Sequence, residues 1–283
     1  MAKAPRAQSL EPRAGTPGVA RRLNAERVVL FGWSRAILLQ LSHPLIAAGV
    51  AEHSSFRGGP FTAAARLHHT IRAMLSLTFG DPAAREETLE RIRGIHRRVR
   101  GHLAESVGPF PAGTPYFADD PDLLLWVHAT LLDSIPLVYE HLVSPLTTGE
   151  RDRYCEEAAV TAIALGARPA EVPRTWLDLR AYVEGMHRSG RLAVSAQARE
   201  VASAVLAPRM ARLIAPAAAA NRLITVGLLP ESLRSPFGFS WTERQERRLH
   251  TVLGMIRGVR RAMPPALSLW PEARRETPLP ISR

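Results

Sequence analysis

Histidines are the residues of this sequence with the clearest capacity for chemistry. Ten are present, and six of them lie before residue 103. A neutral imidazole binds transition metals and exchanges protons near neutral pH, so histidines on helices can hold a metal or work as acid and base. The sequence contains no HExxH motif, no paired ExxH motifs, no glycine-rich phosphate loop and no GxSxG elbow. These absences argue against the common zinc, di-iron, nucleotide and hydrolase sites.

Arg66, His69 and Thr70 form a polar group within an otherwise apolar predicted helix. Their spacing of i, i+3 and i+4 places all three on one face of a helix over Pro60–Phe79. Two interpretations fit this spacing. Arg66 could make a salt bridge while Thr70 bonds back to a carbonyl of its own helix, or the three donors could point together at a ligand.

His96 lies in the segment IRGIHRRVRG, beside an apolar stripe that includes Ile92 and Val99. A histidine in such a place is commonly a satisfied core or surface residue. As a metal ligand, it would offer one neutral nitrogen to the metal while an acceptor holds the other nitrogen. Arg93, one turn earlier, could meet an acidic group of a bound cofactor or simply face solvent.

Three further histidines lie in apolar segments. His43 and His53 bracket the segment SHPLIAAGVAEHS, and His128 follows Trp126 by two residues. Buried histidines commonly bond to backbone carbonyls or lie at helix kinks, so each has a structural interpretation beside the functional one. The small residues between His43 and His53 would let a planar group or another helix approach closely.

The elements that must position these residues are helices. The apolar stretch Val28–Ala51 is about long enough to cross a membrane, but it contains Arg35 and is interrupted at His43–Pro44. Because proline stops or kinks a helix, this stretch predicts two buried helices that meet at His43–Pro44, and no transmembrane span.

Capping signals divide the rest of the chain. Gly80 ends the helix that begins at Pro60, and Asp81-Pro82 begins the helix that carries His96. Residues 101–121 are predicted as a long loop enclosing Tyr116 and Asp120, and the helix after it is predicted to kink at Pro136. Further helices are predicted at 149–165, 172–188, 194–206, 209–226 and 241–262. No segment has the alternating pattern of strands, so the fold class is all-α.

Composition predicts one domain. The chain has 283 residues, of which 46% are hydrophobic and 22% charged, as in a globular multi-helix bundle. The predicted organisation is a flexible basic tail over 1–20, a helical domain over 21–262 and a Pro/Arg-rich tail over 263–283. One cysteine, Cys155, excludes an intrachain disulfide, and the first residues lack the apolar core of a secretory signal, so we expect a cytoplasmic protein.

The formal net charge of +11 is concentrated at the two ends of the chain. Residues 1–27 carry six basic and two acidic side chains, and residues 242–283 carry nine and four. Lys3 is the only lysine, and no basic run is interleaved with aromatic residues, so nucleic acid is not expected as a partner. Weak association of the basic ends with an anionic membrane surface stays open.

Five segments in order resemble one known family. They are LLQLSHPLIAAGVAEHSSF, the Arg66 and Thr70 pair, GIHRRVRG, PYFADDPDLLLWVHATL and PLTTGERDRYCEEAAVTAIALGA. Together they closely resemble the mpaB/rubber oxygenase (latex clearing protein-like) catalytic domain over about Arg22 to His187. The order and spacing of the five segments are more specific than any one of them.

The resemblance implies an all-helical bundle that encloses one haem b. It implies His96 as the axial iron ligand, with Arg66 and Thr70 on the distal side. His69 stands where the rubber enzymes have a lysine, which puts the sixth iron ligand in doubt, and Glu52 is a candidate for their glutamate base. Other residues expected near the haem are His43, Arg93, Trp126 and His128.

In the characterised members of that family, O2 adds across a carbon–carbon double bond of a prenyl chain and leaves two carbonyl ends. The resemblance therefore predicts a haem-dependent oxygenase that acts on an apolar, isoprenoid-like small molecule with O2. The alternative is a non-catalytic haem-binding or lipid-binding helical protein, which could be peripheral at a membrane surface. Neither the substrate nor the oligomeric state follows from the sequence.

Overall fold

The computed structural model describes residues 18–53, 60–206 and 215–274, with the backbone alone for residues 60–67. These residues form an all-α fold. Its first half contains α1 (Val19–Ala25), a short 3-10 helix (Arg27–Val29), α2 (Leu30–Leu41), α3 (Pro44–His53), α4 (Pro60–Phe79), α5 (Pro82–His96) and α6 (Pro121–Leu142). Its second half contains α7 (Thr148–Leu165), α8 (Trp176–Arg188), α9 (Ala196–Leu206), α10 (Ala215–Leu228), α11 (Glu231–Arg234), α12 (Glu243–Ala262), α13 (Pro265–Ser268) and α14 (Pro271–Arg274).

The apolar stretch from Val28 to Ala51 forms two buried helices, as predicted. Helix α2 ends at Leu41, and α3 begins at Pro44. Helix α6 continues through Pro136. Among the described residues, α6 alone is long and apolar enough to cross a membrane, and 72% of its most apolar stretch is buried inside the fold.

Helices α2 and α6 approach closely at the centre of the core. A β-carbon on Gly32 would lie 2.9 Å from the carbonyl oxygen of Ser134, so only glycine allows this approach. One turn later, the buried Arg35 donates to the Asp133 carboxylate at 2.7 Å, to the Ser134 hydroxyl at 2.7 Å and to the Leu228 carbonyl at 2.7 Å. This arginine therefore joins α2, α6 and α10.

A two-stranded ribbon lies where the sequence predicts only a loop. Strand β1 (Arg100–His102) pairs antiparallel with β2 (Pro115–Phe117), and Gly101 lies opposite Tyr116. Each strand has three residues, which is too short for the alternating pattern that identifies a strand in a sequence. The expectation of an unpaired loop over 101–121 is corrected to this extent.

The described part of the predicted C-terminal tail packs on the start of the chain. Residues 263–274 include α13 and α14, and the Trp270 amide donates to the Ala25 carbonyl at 3.0 Å. Glu26 forms an isolated bridge with Leu269, and its carboxylate pairs with Arg260 of α12. Residues 1–17 of the predicted N-terminal tail, residues 275–283 and the start of the helix predicted at 209–226 lie outside the described residues.

The ion pair of Arg35 and Asp133 is expected to make a large contribution to stability. Both side chains are 6% exposed, and a buried charge that loses its partner is strongly destabilising. We expect Arg35→Met to lower the free energy of unfolding by about 3 kcal/mol, as measured by urea denaturation. The matched control is Arg180→Met, because Arg180 also contacts Asp133, at 3.0 Å, but is 44% exposed. We expect this control to cost about 1 kcal/mol or less. Equal losses in the two variants would contradict the assignment.

Candidate functional site

Helices α4 and α5 form a hairpin that carries the predicted site residues. The turn is closed by Asp81, whose Oδ1 accepts from the Ala84 amide at 2.8 Å, and Ser76 and Thr88 join the two helices through their hydroxyls at 2.9 Å. Arg66 precedes Gly80 by 14 residues, and His96 follows it by 16. At a rise of 1.5 Å per residue these positions are about 21 and 24 Å from the turn. Arg66 and His96 therefore lie at similar distances along their helices from the turn.

The other two members of the polar group, His69 and Thr70, are exposed on α4. The ring of His69 lies 6.2 Å from that of His68. The side chain of Arg66 lies outside the described residues. The three share the predicted helix, but the described side chains do not line a closed pocket.

His96 lies at the last position of α5 and is half-buried. Its Nδ1 is buried and has no hydrogen-bond partner among the described residues. Burial lowers the pKa of His96, and the carboxylate of Asp119 opposes this effect. The ring is therefore neutral at neutral pH, which is the form that binds a metal.

Arg93 and Trp126 have contacts that give them structural roles. Arg93 donates to the Ala164 carbonyl at 3.0 Å and pairs with Glu86, so it connects α5 to α7. Trp126 is completely buried, and its Nε1 donates to the Leu39 carbonyl at 3.2 Å. Any contact between these two residues and a cofactor stays a prediction.

His43 and His128 are the most strongly desolvated histidines near the centre of the fold. His43 is completely buried at the junction of α2 and α3, with its ring 5.2 Å from that of Phe110. Both His43 nitrogens, and Nε2 of His128, are buried without a partner among the described residues. Burial lowers the pKa of each to about 4; Arg191 adds to the effect at His43, and Asp122 opposes it there. Both rings are therefore neutral and retain unused hydrogen-bonding capacity.

A cavity of about 340 Å³ lies beside the junction of α2 and α3. Its lining mixes apolar and polar groups, namely Pro44, Leu103, Ala104, Glu105, Val107, Ser195 and Gln197. Neither His96 nor Thr70 lines it. The cavity therefore lies apart from the hairpin that carries the predicted iron ligand.

Tyr116 is the residue whose role the sequence left unassigned. It is 1% exposed, and its hydroxyl donates to the carboxylate of Glu52 and lies 3.3 Å from Nε2 of His53. Burial, followed by the hydrogen bond and the charge of Glu52, raises the pKa of Tyr116. A β-carbon on Gly101 would collide with the Tyr116 hydroxyl, so glycine is required opposite it.

The ribbon therefore brings Glu52 and His53 at the end of α3 next to the chain that leaves α5. Nε2 of His53 lies 3.2 Å from the Arg100 carbonyl. In the sequence the signals were Gly101 and Tyr116 in a predicted long loop. They gave no indication that Glu52, 64 residues from Tyr116, is the partner.

No group of three or more His, Cys, Asp or Glu side chains in the described part of the chain could hold a metal ion by itself. A haem requires only one axial histidine from the protein. His96 has a ring whose pKa is lowered by burial and a buried Nδ1 without a partner among the described residues, so one histidine suited to hold a haem is present.

Comparison with known proteins identifies a family. The model of the family described as "ER-bound oxygenase mpaB/B'/Rubber oxygenase, catalytic domain" matches residues 20–260. Two curated relatives are "Uncharacterized protein Rv2237" of Mycobacterium tuberculosis and "Uncharacterized protein Mb2261" of Mycobacterium bovis. Each is 27% identical over 234 residues, which cover 81% of this chain and 87% of the relative. No solved structure matches the chain.

The buried His43 is expected to make stability depend on pH. Its pKa is about 4 in the folded protein, against an ordinary value of 6.5. Between these values the unfolded chain binds a proton and the folded protein does not, so the free energy of unfolding falls as the pH falls from 6.5 to about 4. We expect His43→Gln to reduce this loss by about 3 kcal/mol in urea denaturation across that range.

The matched control for this prediction is His102→Gln, because His102 is exposed. The carboxylates titrate alike in all three proteins, so the difference between variants isolates His43. A His43 variant with the same pH dependence as the unmodified protein would show that this ring is not desolvated.

Proposed function

The chain belongs to the mpaB/rubber oxygenase catalytic-domain family, and from this premise we propose that it is a haem b-dependent oxygenase. Its substrate would be an apolar, isoprenoid-like small molecule whose carbon–carbon double bond is oxidised or cleaved with O2. The observation that carries the proposal is the match of an oxygenase catalytic domain to residues 20–260, which includes α2 to α11 in full. We propose residues 21–262 as the catalytic unit, in the cytoplasm.

His96 is proposed to hold the haem. Its ring is neutral, is placed at a helix end and has a buried Nδ1 without a partner among the described residues. One nitrogen of this ring would bind the iron. When bound, the haem supplies the redox chemistry that activates O2.

Arg66, His69 and Thr70 are proposed to face the distal side of the same cofactor. Arg66 and His96 are separated from the turn at Gly80 by similar lengths of α4 and α5, which supports the assignment. Arg66 would offer a positive charge where negative charge develops, and Thr70 a neutral donor. His69 supplies an imidazole at the position where the rubber enzymes have a lysine.

Glu52 is proposed as the group that accepts a proton from the substrate. Its carboxylate is held by the hydroxyl of Tyr116, which in turn is fixed by the ribbon. The raised pKa of Tyr116 keeps that hydroxyl protonated, so it stays a donor to Glu52 at all ordinary pH values. His43, Arg93, Trp126 and His128 are proposed as neighbours of the cofactor.

The second candidate is a non-catalytic haem-binding or lipid-binding protein with the same scaffold. The exposure of His69 and Thr70 favours it, because a polar group on an open helix face could anchor a ligand without enclosing a reaction. Spectroscopy and turnover together separate the two functions.

The first prediction from the proposed function concerns colour. Protein produced with a haem precursor is expected to show a Soret band, and His96→Ala is expected to lose it because the iron loses its axial ligand. The control is His102→Ala, which removes an exposed histidine six residues further on and should keep the band. Colourless unmodified protein, or an unchanged band in His96→Ala, would overturn the assignment of His96.

The second prediction concerns turnover. Oxygen consumption with squalene or a prenylated quinone is expected, and Arg66→Ala should lower kcat about 100-fold by removing a donor placed at developing charge. Arg72→Ala is the control, since Arg72 is an exposed arginine of the same helix. A protein that shows the Soret band but consumes no oxygen with these substrates would support the binding function instead.

A further inference from the structure

Helix α12 has an exposed face that combines arginines with apolar side chains. The opposite side of the helix packs through Leu249 and Leu253 against α6 and α10. At 100° per residue, one stripe on the exposed side of the helix contains Arg244, Arg248, Thr251, Met255, Val259 and Ala262. We call these six residues the outer face of α12, and all of them are exposed.

The second half of the outer face is apolar. Met255 is 60% exposed and Val259 is 53% exposed. In the chain that follows the helix, Met263 is 37% exposed and Leu267 of α13 is 58% exposed. Side chains of this size are normally buried, and several together mark a contact surface rather than chance exposure.

The arginines of the outer face lack acidic partners. The two glutamates of α12 are already engaged: Glu243 lies 3.6 Å from Arg247, and Glu246 accepts from Trp241 Nε1 at 2.7 Å. Arg244 and Arg248, by contrast, have neither a hydrogen bond nor an ion pair among the described residues. Their charge is therefore uncompensated.

The surrounding chain adds positive charge and no negative charge. Between Glu246 and Glu272 the sequence contains no Asp or Glu. Arg257 and Arg260 turn inward, where Arg257 donates to the Glu140 carbonyl at 2.7 Å and Arg260 pairs with Glu26. Exposed Arg261 is left beside the apolar half of the face.

We propose that the outer face of α12, with Met263 and Leu267, docks the protein on an anionic lipid bilayer. The helix would lie along the membrane surface, with Met255, Val259 and Leu267 entering the headgroup region and Arg244 and Arg248 binding lipid phosphates. A helix with one apolar stripe and uncompensated arginines has the chemistry that recognises such a surface. The apolar segment of α6 is buried inside the fold, so this contact is peripheral.

A second copy of the chain fits this face less well than a bilayer. Twofold packing would bring the arginines of one copy either onto those of its partner, which is repulsive, or onto the apolar half of its partner's face, where no acidic side chain compensates them. The apolar part also consists of only a few side chains, whereas a stable protein interface buries about 800 Å² on each partner. An anionic bilayer compensates the arginines and does not require a large apolar interface.

The test is flotation of the full chain with lipid vesicles. We expect binding to vesicles of phosphatidylcholine mixed with phosphatidylglycerol, weaker binding at high salt, and no binding to phosphatidylcholine alone. The double variant Arg244→Gln with Arg248→Gln should bind about thirtyfold more weakly, at roughly a fivefold loss for each arginine. Met255→Asp should weaken binding about tenfold, because it places a charge in the apolar stripe.

Two variants on other surfaces serve as matched controls. Leu177→Asp changes the most exposed apolar side chain of α8, which is 77% exposed, and Arg153→Gln removes an exposed arginine of α7. Both should bind vesicles as the unmodified protein does.

Four outcomes would overturn the proposal. The first is that the unmodified protein does not bind the vesicles. The second is that the α12 variants bind as strongly as the unmodified protein, which would place the contact at another basic segment. The third is that the control variants lose as much vesicle binding as the α12 variants. The fourth is a change of oligomeric state in the α12 variants without a change in vesicle binding, which would identify the face as a contact between copies. The outcome is independent of the Soret band and of oxygen consumption, so failure here leaves the oxygenase proposal intact.

Discussion

The buried guanidinium of Arg35 is the interaction on which the helical packing depends. It reaches Asp133 and Ser134 on α6 and the Leu228 carbonyl on α10, and Arg180 of α8 shares the same aspartate. A charge in an apolar core is tolerated only when its partners surround it, so the geometry of this arginine fixes four helices relative to one another. Because α3 follows α2 after the break at His43, the same interaction sets where α3 lies.

The position of α3 determines the group around Tyr116. Glu52 and His53 come at the end of α3, and the ribbon presents the tyrosine to them through the gap left by Gly101. The ribbon begins just after α5 ends, so one backbone connects His96 to the strand that faces Tyr116. The predicted iron ligand and the candidate proton acceptor are thus both tied to the same short segment, residues 96–102.

The helices were predictable because residues next to one another in the sequence determine where a helix begins. Pro60, Asp81-Pro82 and Asp120-Pro121 mark helix starts by restricting the backbone and capping free amides, and the structure places α4, α5 and α6 there. The ribbon was not predictable, since three-residue strands have no period. Glu52 and Tyr116 could not be paired because the contact depends on tertiary packing. The spacing of Arg66 and Thr70 gave a shared helix face, but the ligand for it came only from family resemblance.

The pairing of residues 25–26 with residues 260–270 has a consequence for how the protein is made. Ala25 and Glu26 bond with Trp270, Leu269 and Arg260, so the first helix is completed by residues more than 230 positions later. During synthesis, these partners emerge only after the whole helical body has left the ribosome. The segment around α1 therefore lacks these contacts until synthesis is nearly complete. Their formation becomes the last step in assembly of the fold. Because these segments are adjacent, a circular permutant that joins the described ends and begins at another loop should keep the same helix packing.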